Sequence, residues 1–289
     1  MLFSANVPNA DVFREISYAL SFVRKTCLFM IEKERLTIVS ITDSGMQVWA
    51  HLDTSEILSH MRLRSLEGAR IAFELPLDIF VRAMKSFATG SFGVGSQVKM
   101  KLVKRNDMPY IMLSVDGRST SDGRRAKIVQ TIPIRIYKFE QLKATVEPEL
   151  HDADVLLFTT LQLPSILKIC ERYRNLGPKV EISANNAGIL RIGVQNDHVK
   201  VDTKWTGLAV AQDTTRQEVS EADLAQRDPD EFASVLVDAK ELYSVLRIHP
   251  VVMQMVLCIT DRTSLSFIVN IAGLDEANNI TYYVSTYNR

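Results

Sequence analysis

The chain repeats itself. A succession of strand, amphipathic helix, three strands, a later strand and helix, and a run of closing strands begins at Leu2 and begins again at Val155. In the first copy LFSANV leads into PNADVFREISYALSFVRK, followed by CLFMI, RLTIVSI and MQVWAHL; in the second VLLFTTL leads into PSILKICERYRNL, followed by KVEISAN, ILRIGVQ and HVKVDTKW. Further on, RIAFELPLDIFVRAMKS answers ASVLVDAKELYSVLRI, and QVKMKLV, YIMLSV and KIVQTIPIRI answer VMQMVLCI, SLSFIVNI and NITYYVSTY. The shared order of elements, more than residue identity, predicts one α+β unit used twice.

A length of 289 residues allows each copy a core of its own. The expected division is a first domain at 1–136, a connector at 137–153 and a second domain at 154–289. Tyr137 to Ala153 loses the two-residue alternation of strands, carries Pro148 and turns acidic, as a surface crossing does. A second irregular stretch, 207–231, is rich in Asp, Glu, Gln and Thr. It is expected to form a long acidic loop where the first copy has DTSEILSHMRLRSLEG instead.

Composition is globular, with 46% hydrophobic and 24% charged residues. No apolar run approaches the roughly 18 residues of a membrane span, and MLFSANVPNAD lacks the basic start and apolar stretch of a signal peptide. An intracellular chain with no membrane partner is expected. Cys27, Cys170 and Cys258 lie far apart and form no CxxC pair, so they read as buried reduced thiols. The formal net charge of zero argues against an all-over basic coat, but leaves a basic lining open.

The helices carry the functional reading. At 100° per residue, Asp11 to Lys25 places Val12, Ile16, Ala19, Leu20 and Val23 on one side and Arg14, Tyr18, Ser21 and Lys25 on the other. After Leu75, Phe80, Met84 and Phe87 face inward while Arg82, Lys85 and Ser86 face out. In the second copy Ile166, Cys170 and Tyr173 oppose Lys168, Arg172 and Asn175, and Leu242 and Leu246 oppose Lys240, Ser244 and Arg247. The acids Asp11, Glu15, Glu171 and Glu241 fall at helix starts or on the flanks, where the macrodipole favours them. A solvated helix face commonly carries Lys and Arg, which explains any one of these stripes. Four equivalents suggest a basic wall suited to phosphates, with Arg14, Lys25, Arg82, Lys85, Lys168, Arg172, Lys240 and Arg247 facing duplex DNA.

Signatures of enzymes are weak. GSFGVGS (Gly90 to Ser96) lacks the Lys-Ser/Thr ending of a P-loop and follows a helix, the wrong way round. His51, His60, His151, His198 and His249 show no metal-ligand spacing and read as surface or loop residues. No GxSxG elbow occurs. No enzyme activity and no cofactor are expected. The alternative from another class is a two-domain α+β metal-dependent hydrolase or nuclease using acids such as Asp152 and Asp154.

The order and spacing of IVQTIPIRI, VKVDTKWTGL, PDEFASVLVDAKEL and ITYYVSTY resemble the PCNA-like sliding clamps. Among these the chain is most similar to the Hus-type subunits of the nine-one-one DNA-damage checkpoint clamp. The likeness covers nearly the whole chain. Unlike PCNA, the sequence stops at Asn288 and Arg289 without an acidic tail, which sets a homotrimeric replication clamp as the second alternative. The resemblance implies a ring with helices on the inner face and sheets on the outer face. It implies two other clamp subunits in a heterotrimer, double-stranded DNA bound without sequence specificity, an ATP-driven clamp loader, checkpoint and repair proteins as clients, and a nuclear location. The family's ring-joining strands fall here on Tyr110 to Val115, with Tyr110, Ile111, Met112 and Leu113, and on Val199 to Trp205, with Val199, Val201, Thr203 and Trp205. Proline at Ile111 or Leu113 should remove an N–H from the former strand or distort it, and so weaken the ring contact while the other half of the chain keeps its fold. The family's pocket for partner peptides corresponds to Ile41, Val48, Tyr137 and Tyr283.

Overall fold

The structure, a computed structural model, describes residues 2–65, 68–88, 97–118, 125–150, 152–211 and 228–287. Gly90 to Ser96, Arg124, His151, residues 212–227 of the acidic stretch, and Asn288 and Arg289 lie outside the described residues. Two compact units divide the chain: Met1–Ser40, Trp49–Glu147 and Gly273–Asn279 form one, and Ile41–Val48, Pro148–Ala272 and Ile280–Arg289 the other.

The first repeat supplies β1 (Leu2–Val7), α1 (Ala10–Leu20), β2 (Thr26–Ile31), β3 (Arg35–Ile41), β4 (Gln47–Asp53), α2 (Thr54–Ile57), β5 (Ser59–Arg64), β6 (Ile71–Pro76), α3 (Leu77–Ala88), β7 (Val98–Arg105), β8 (Met108–Arg118), β9 (Arg125–Pro133) and β10 (Arg135–Tyr137). One sheet is ordered β5-β1-β7-β8-β9, and a second contains the run β10-β6-β2-β3-β4. β1 runs antiparallel to both its neighbours, and the pleat sorts the side chains: Phe3, Ala5 and Val7 are buried on one face.

Helix α1 buries Phe13, Ile16, Ser17 and Leu20, the i, i+3, i+4, i+7 stripe of an amphipathic helix. Phe13, rather than the expected Val12, leads that stripe. Its ring meets Phe80 of α3 at 5.3 Å and Phe29 of β2 at 6.3 Å, both edge-on, while Phe29 stacks on Phe73 of β6 at 5.8 Å. This aromatic cluster joins both helices to the sheet. The helix stops at Leu20, where tight turns take over through Ser21 N–H to Tyr18 C=O and Val23 N–H to Leu20 C=O. Val23 and Lys25 therefore lie beyond the helix that sequence periodicity extends to them.

In DTSEILSHMRLR, Asp53 caps α2 by accepting from Ser55 N–H at 2.7 Å, and the HMRLR alternation becomes β5. KIVQTIPIRI is not one strand, because it breaks around buried Ile134 so that β9 pairs with β8 and β10 with β6. Tyr137, expected to open the connector, closes β10 opposite Ala72.

The second repeat supplies β11 (Val155–Phe158), α4 (Leu163–Tyr173), β12 (Lys179–Asn185), β13 (Ile189–Gln195), β14 (Lys200–Trp205), β15 (Ala233–Asp238), α5 (Ala239–Leu246), β16 (Val252–Thr260), β17 (Ser264–Ile271), β18 (Asn279–Val284) and β19 (Thr286–Tyr287). One sheet runs β14-β13-β12-β15-β19, and another contains β18-β17-β16-β11. Its core is mostly aliphatic, with Ile166, Leu242, Leu246, Ile182, Ile192 and Leu257 among the buried side chains. The start of the expected acidic loop belongs to the body. Phe158 N–H bonds to Ala209 C=O and Ala211 N–H to Leu156 C=O, both at 2.9 Å, and Leu208 is buried. Gly188, at φ +77°, lets Leu208 in: a Cβ there would lie 2.4 Å from the Leu208 carbonyl oxygen.

Glu241 also departs from expectation. Helical periodicity puts it on a solvated flank, yet it is only 9% exposed. Asp238 caps α5 through Lys240 and Glu241 N–H, and the Glu241 carboxylate accepts from the Ser44 hydroxyl. Burial raises its pKa above the ordinary 4.5, opposed by the Ser44 hydrogen bond and reinforced by the charge of Asp238. The folded chain therefore holds this proton more tightly than the unfolded chain, and the group removes stability as pH rises above about 4.5. Glu241→Gln keeps an acceptor for Ser44 and removes the ionisation. The variant is expected to melt higher than the parent at pH 7, with the gap closing toward pH 4. Parallel circular-dichroism melts across that range check it, and a gap independent of pH would sink it.

Candidate nucleic-acid and subunit interfaces

In the first unit the basic side chains of the helices have local partners. Arg14 is half buried and paired with Asp11 at 3.1 Å and Glu15 at 2.7 Å; Arg82 is exposed and paired with Asp78 one turn back at 3.4 Å. Lys85 is exposed on α3, and Lys25 is exposed in the turn before β2. The second unit differs. Lys168 and Arg172 on α4 and Lys240 on α5 are exposed and, like Lys25, have no acidic partner among the described residues. Arg247, at the end of α5, donates to the Tyr243 hydroxyl at 3.2 Å. Arg174 lies over the Tyr243 ring at 4.1 Å and reaches Glu171 at 4.0 Å. Sequence periodicity misses Arg174, whose only signal is the basic run ERYR around Arg172.

The four stripes are thus unequal as electrostatic surfaces. A cation already beside a carboxylate has part of its field cancelled, although exposed pairs of this kind hold only about 0.2–1 kcal/mol. Lys25, Lys168, Arg172 and Lys240 keep their full attraction for phosphate.

The expected joining strands also part company. β8 is no edge: it lies between β7 and β9, with Ile111 opposite Leu102 on one side and Ile132 on the other. Ile111 and Leu113 are fully buried, and Tyr110 and Met112 half buried. Among the described residues the sheet ends instead at β9, where Val129 is 42% exposed. Among the described residues β14 is an edge strand, paired only with β13, and its Val201 is 37% exposed. Thr203 and Trp205 tie it to α4, through Tyr173 hydroxyl to Thr203 Oγ1 at 2.7 Å and Trp205 Nε1–H to Ser165 Oγ at 3.4 Å. Val199 N–H is held by Asn196 Oδ1 at 2.7 Å in the turn before β14.

Of the expected peptide-pocket residues, Val48 is fully buried and cannot line an accessible surface. Ile41, Tyr137 and Tyr283 are half buried, and the Tyr137 hydroxyl donates to Glu74 at 3.1 Å.

The residues weighed for catalysis have structural partners. Burial pushes the Cys27 and Cys170 thiols up to about 12, which favours the thiol over the thiolate, and Cys258 is also buried. Asp154 accepts from Asp261 N–H at 2.7 Å, and the Asp152 carbonyl accepts from Thr260 at 3.1 Å. His51 is a residue of β4 rather than of a loop, and its Nε2 meets Glu147 at 2.7 Å. Among the described residues no group of three His, Cys, Asp or Glu side chains is placed to hold a metal ion, and no helix is long and apolar enough to cross a membrane.

Two α+β units, each with a helix pair packed on antiparallel sheets, define a duplicated clamp fold, and a solved structure has the same architecture. Proliferating cellular nuclear antigen from Entamoeba histolytica superposes with a TM-score of 0.70 at 12% identity, covering 99% of this chain and 100% of that one. The chain belongs to the Hus1-like protein family, whose model matches residues 1–288. Similar relatives are checkpoint protein hus1 of Schizosaccharomyces pombe, 26% identical over 99% of both chains, and the Dictyostelium discoideum checkpoint protein hus1 homolog, 27% identical over 98% of both. Human checkpoint protein HUS1 is 24% identical over 81% of each chain.

Proposed function

We propose that this chain is a non-enzymatic subunit of a DNA-damage checkpoint clamp: one segment of a heterotrimeric ring that encloses duplex DNA and serves as a platform for checkpoint and repair proteins. The observation that carries the reading is the match to the Hus1-like family along nearly the full length of a clamp-fold chain. In this reading an ATP-driven loader places the ring on DNA in the nucleus, and the helix pairs of both units face the phosphates. Two edge strands join it to its neighbours, β9 in the first unit and β14 in the second. Each leaves one row of backbone groups for another chain to complete, and each exposes a valine beside that row. Ile41, Tyr137 and Tyr283 stay candidates for binding client peptides.

The test is the mass of the native assembly, formed with candidate clamp partners and measured for the parent, Val129→Lys and Val201→Lys. A 1:1:1 ring is expected for the parent, with each variant detaching from one neighbour, and with monomer melting temperatures changed by no more than a few degrees. A ring of three identical copies would replace this reading with a homotrimeric clamp. A parent chain that stays monomeric with every partner would remove it.

A further inference from the structure

Strand β5 closes the other end of the β5-β1-β7-β8-β9 sheet and pairs only with β1, so its second edge carries backbone N–H and C=O groups without a ladder partner among the described residues. Its side chains alternate: Met61 and Leu63 are half buried, while His60, Arg62 and Arg64 are exposed. Arg62 stands opposite Ser4, and Ser4 opposite Lys101, so these two cations share one face of the sheet. Arg64 joins them beside exposed Leu2. Arg62, Arg64 and Lys101 have no acidic partner among the described residues. A groove of about 510 Å³ opens there, lined by Leu2, Met61, Arg62, Leu63 and Arg64. At its near end the pairing with β1 slips between Ser4 and Asn6, next to His60 at φ +51°, which bounds the usable edge.

We propose that this edge receives an extended segment of a partner protein in which acidic and apolar residues alternate, added as a further strand beside β5. Backbone bonding would give such a segment its affinity, and the two rows of side chains its specificity. Carboxylates on one face would meet Arg62 and Arg64, and apolar side chains on the other would extend the surface of Met61 and Leu63. A DNA backbone would use the cations but neither the open ladder groups nor the apolar row. A second copy of β5 would bring arginine against arginine. β5 is neither of the two strands proposed to join the ring, so the proposal stands or falls independently of ring assembly.

The test uses the full chain and two fluorescein-labelled ten-residue peptides, one alternating Glu with Val and one alternating Lys with Val. Anisotropy is expected to show the Glu/Val peptide binding the parent, and binding Arg62→Glu/Arg64→Glu about tenfold or more weakly, since two opposite-charge pairs become like-charge pairs. The Lys/Val peptide should reverse that order. Methylation of alternate backbone nitrogens in the Glu/Val peptide should abolish binding, and the bound peptide should slow amide exchange across Ser59–Arg64 of the parent. The exchange measurement decides the matter even if the double variant folds poorly. Equal affinity for the two peptides, protection confined to other strands, or a double variant that loses duplex DNA binding while keeping the peptide would each overturn the proposal.

Discussion

Proline in place of Ile111 is expected to abolish cooperative folding of the first unit, not merely to weaken assembly. β8 is paired on both sides at this residue, with Leu102 and Ile132, and the side chain is fully buried. Proline removes a ladder N–H, leaves the facing carbonyl unsatisfied, and replaces a branched core side chain with a smaller ring. Together with the void, this amounts to roughly 3–5 kcal/mol, a large part of the about 5–15 kcal/mol that holds an ordinary domain folded. The measurement is a thermal melt followed by near-ultraviolet circular dichroism, with Val129→Lys on neighbouring β9 as the surface control. A sharp melt within a few degrees of the parent, accompanied by lost assembly, would mean that β8 is the edge after all.

The burial of β8 marks where a sequence stops speaking for a fold. Strand and helix identities are legible because burial leaves a period in the chain: LFSANV alternates, and Ile166, Cys170 and Tyr173 recur at helical spacing. Neither period says which strand a strand pairs with. YIMLSV alternates in the same way whether or not β9 covers it, and β1 finds its neighbours β5 and β7 in separate parts of the sequence. In DTSEILSHMRLR, by contrast, Asp53 as a cap and the HMRLR alternation are both visible in the sequence, and they become the start of α2 and the strand β5.

The candidate DNA-facing side chains divide along the same line. The Asp11–Arg14 and Asp78–Arg82 pairs stand at i,i+3 and i,i+4, so their mutual neutralisation is open to prediction. The stacking of Arg174 on Tyr243 is not, because it needs the packing of α4 against α5. Phe13 lies one residue, or 100°, from the position that periodicity favours, a difference that the apolar run VF cannot resolve.

The inequality of the cations gives the remaining large effect. Replacing Lys25, Lys168, Arg172 and Lys240 by Gln is expected to leave folding nearly unchanged, since all four are exposed and lack acidic partners among the described residues. Every phosphate that loses its cation should flatten the dependence of duplex binding on salt by about 0.9 in logarithmic slope, or between about 3 and 4 for the set. The variant ring would then forgo roughly a hundredfold of the affinity that the parent gains between about 200 and 50 mM salt. The loss should be the same for any duplex sequence, because phosphate contacts position a protein without reading bases. Matched pairs of substitutions separate the two units. Lys168→Gln with Arg172→Gln should change the slope more than Arg14→Gln with Arg82→Gln, whose charges are already shared with Asp11, Glu15 and Asp78. Equal changes would mean that the carboxylates release their arginines to DNA at no cost. No change in either pair would mean that the helix faces do not meet DNA.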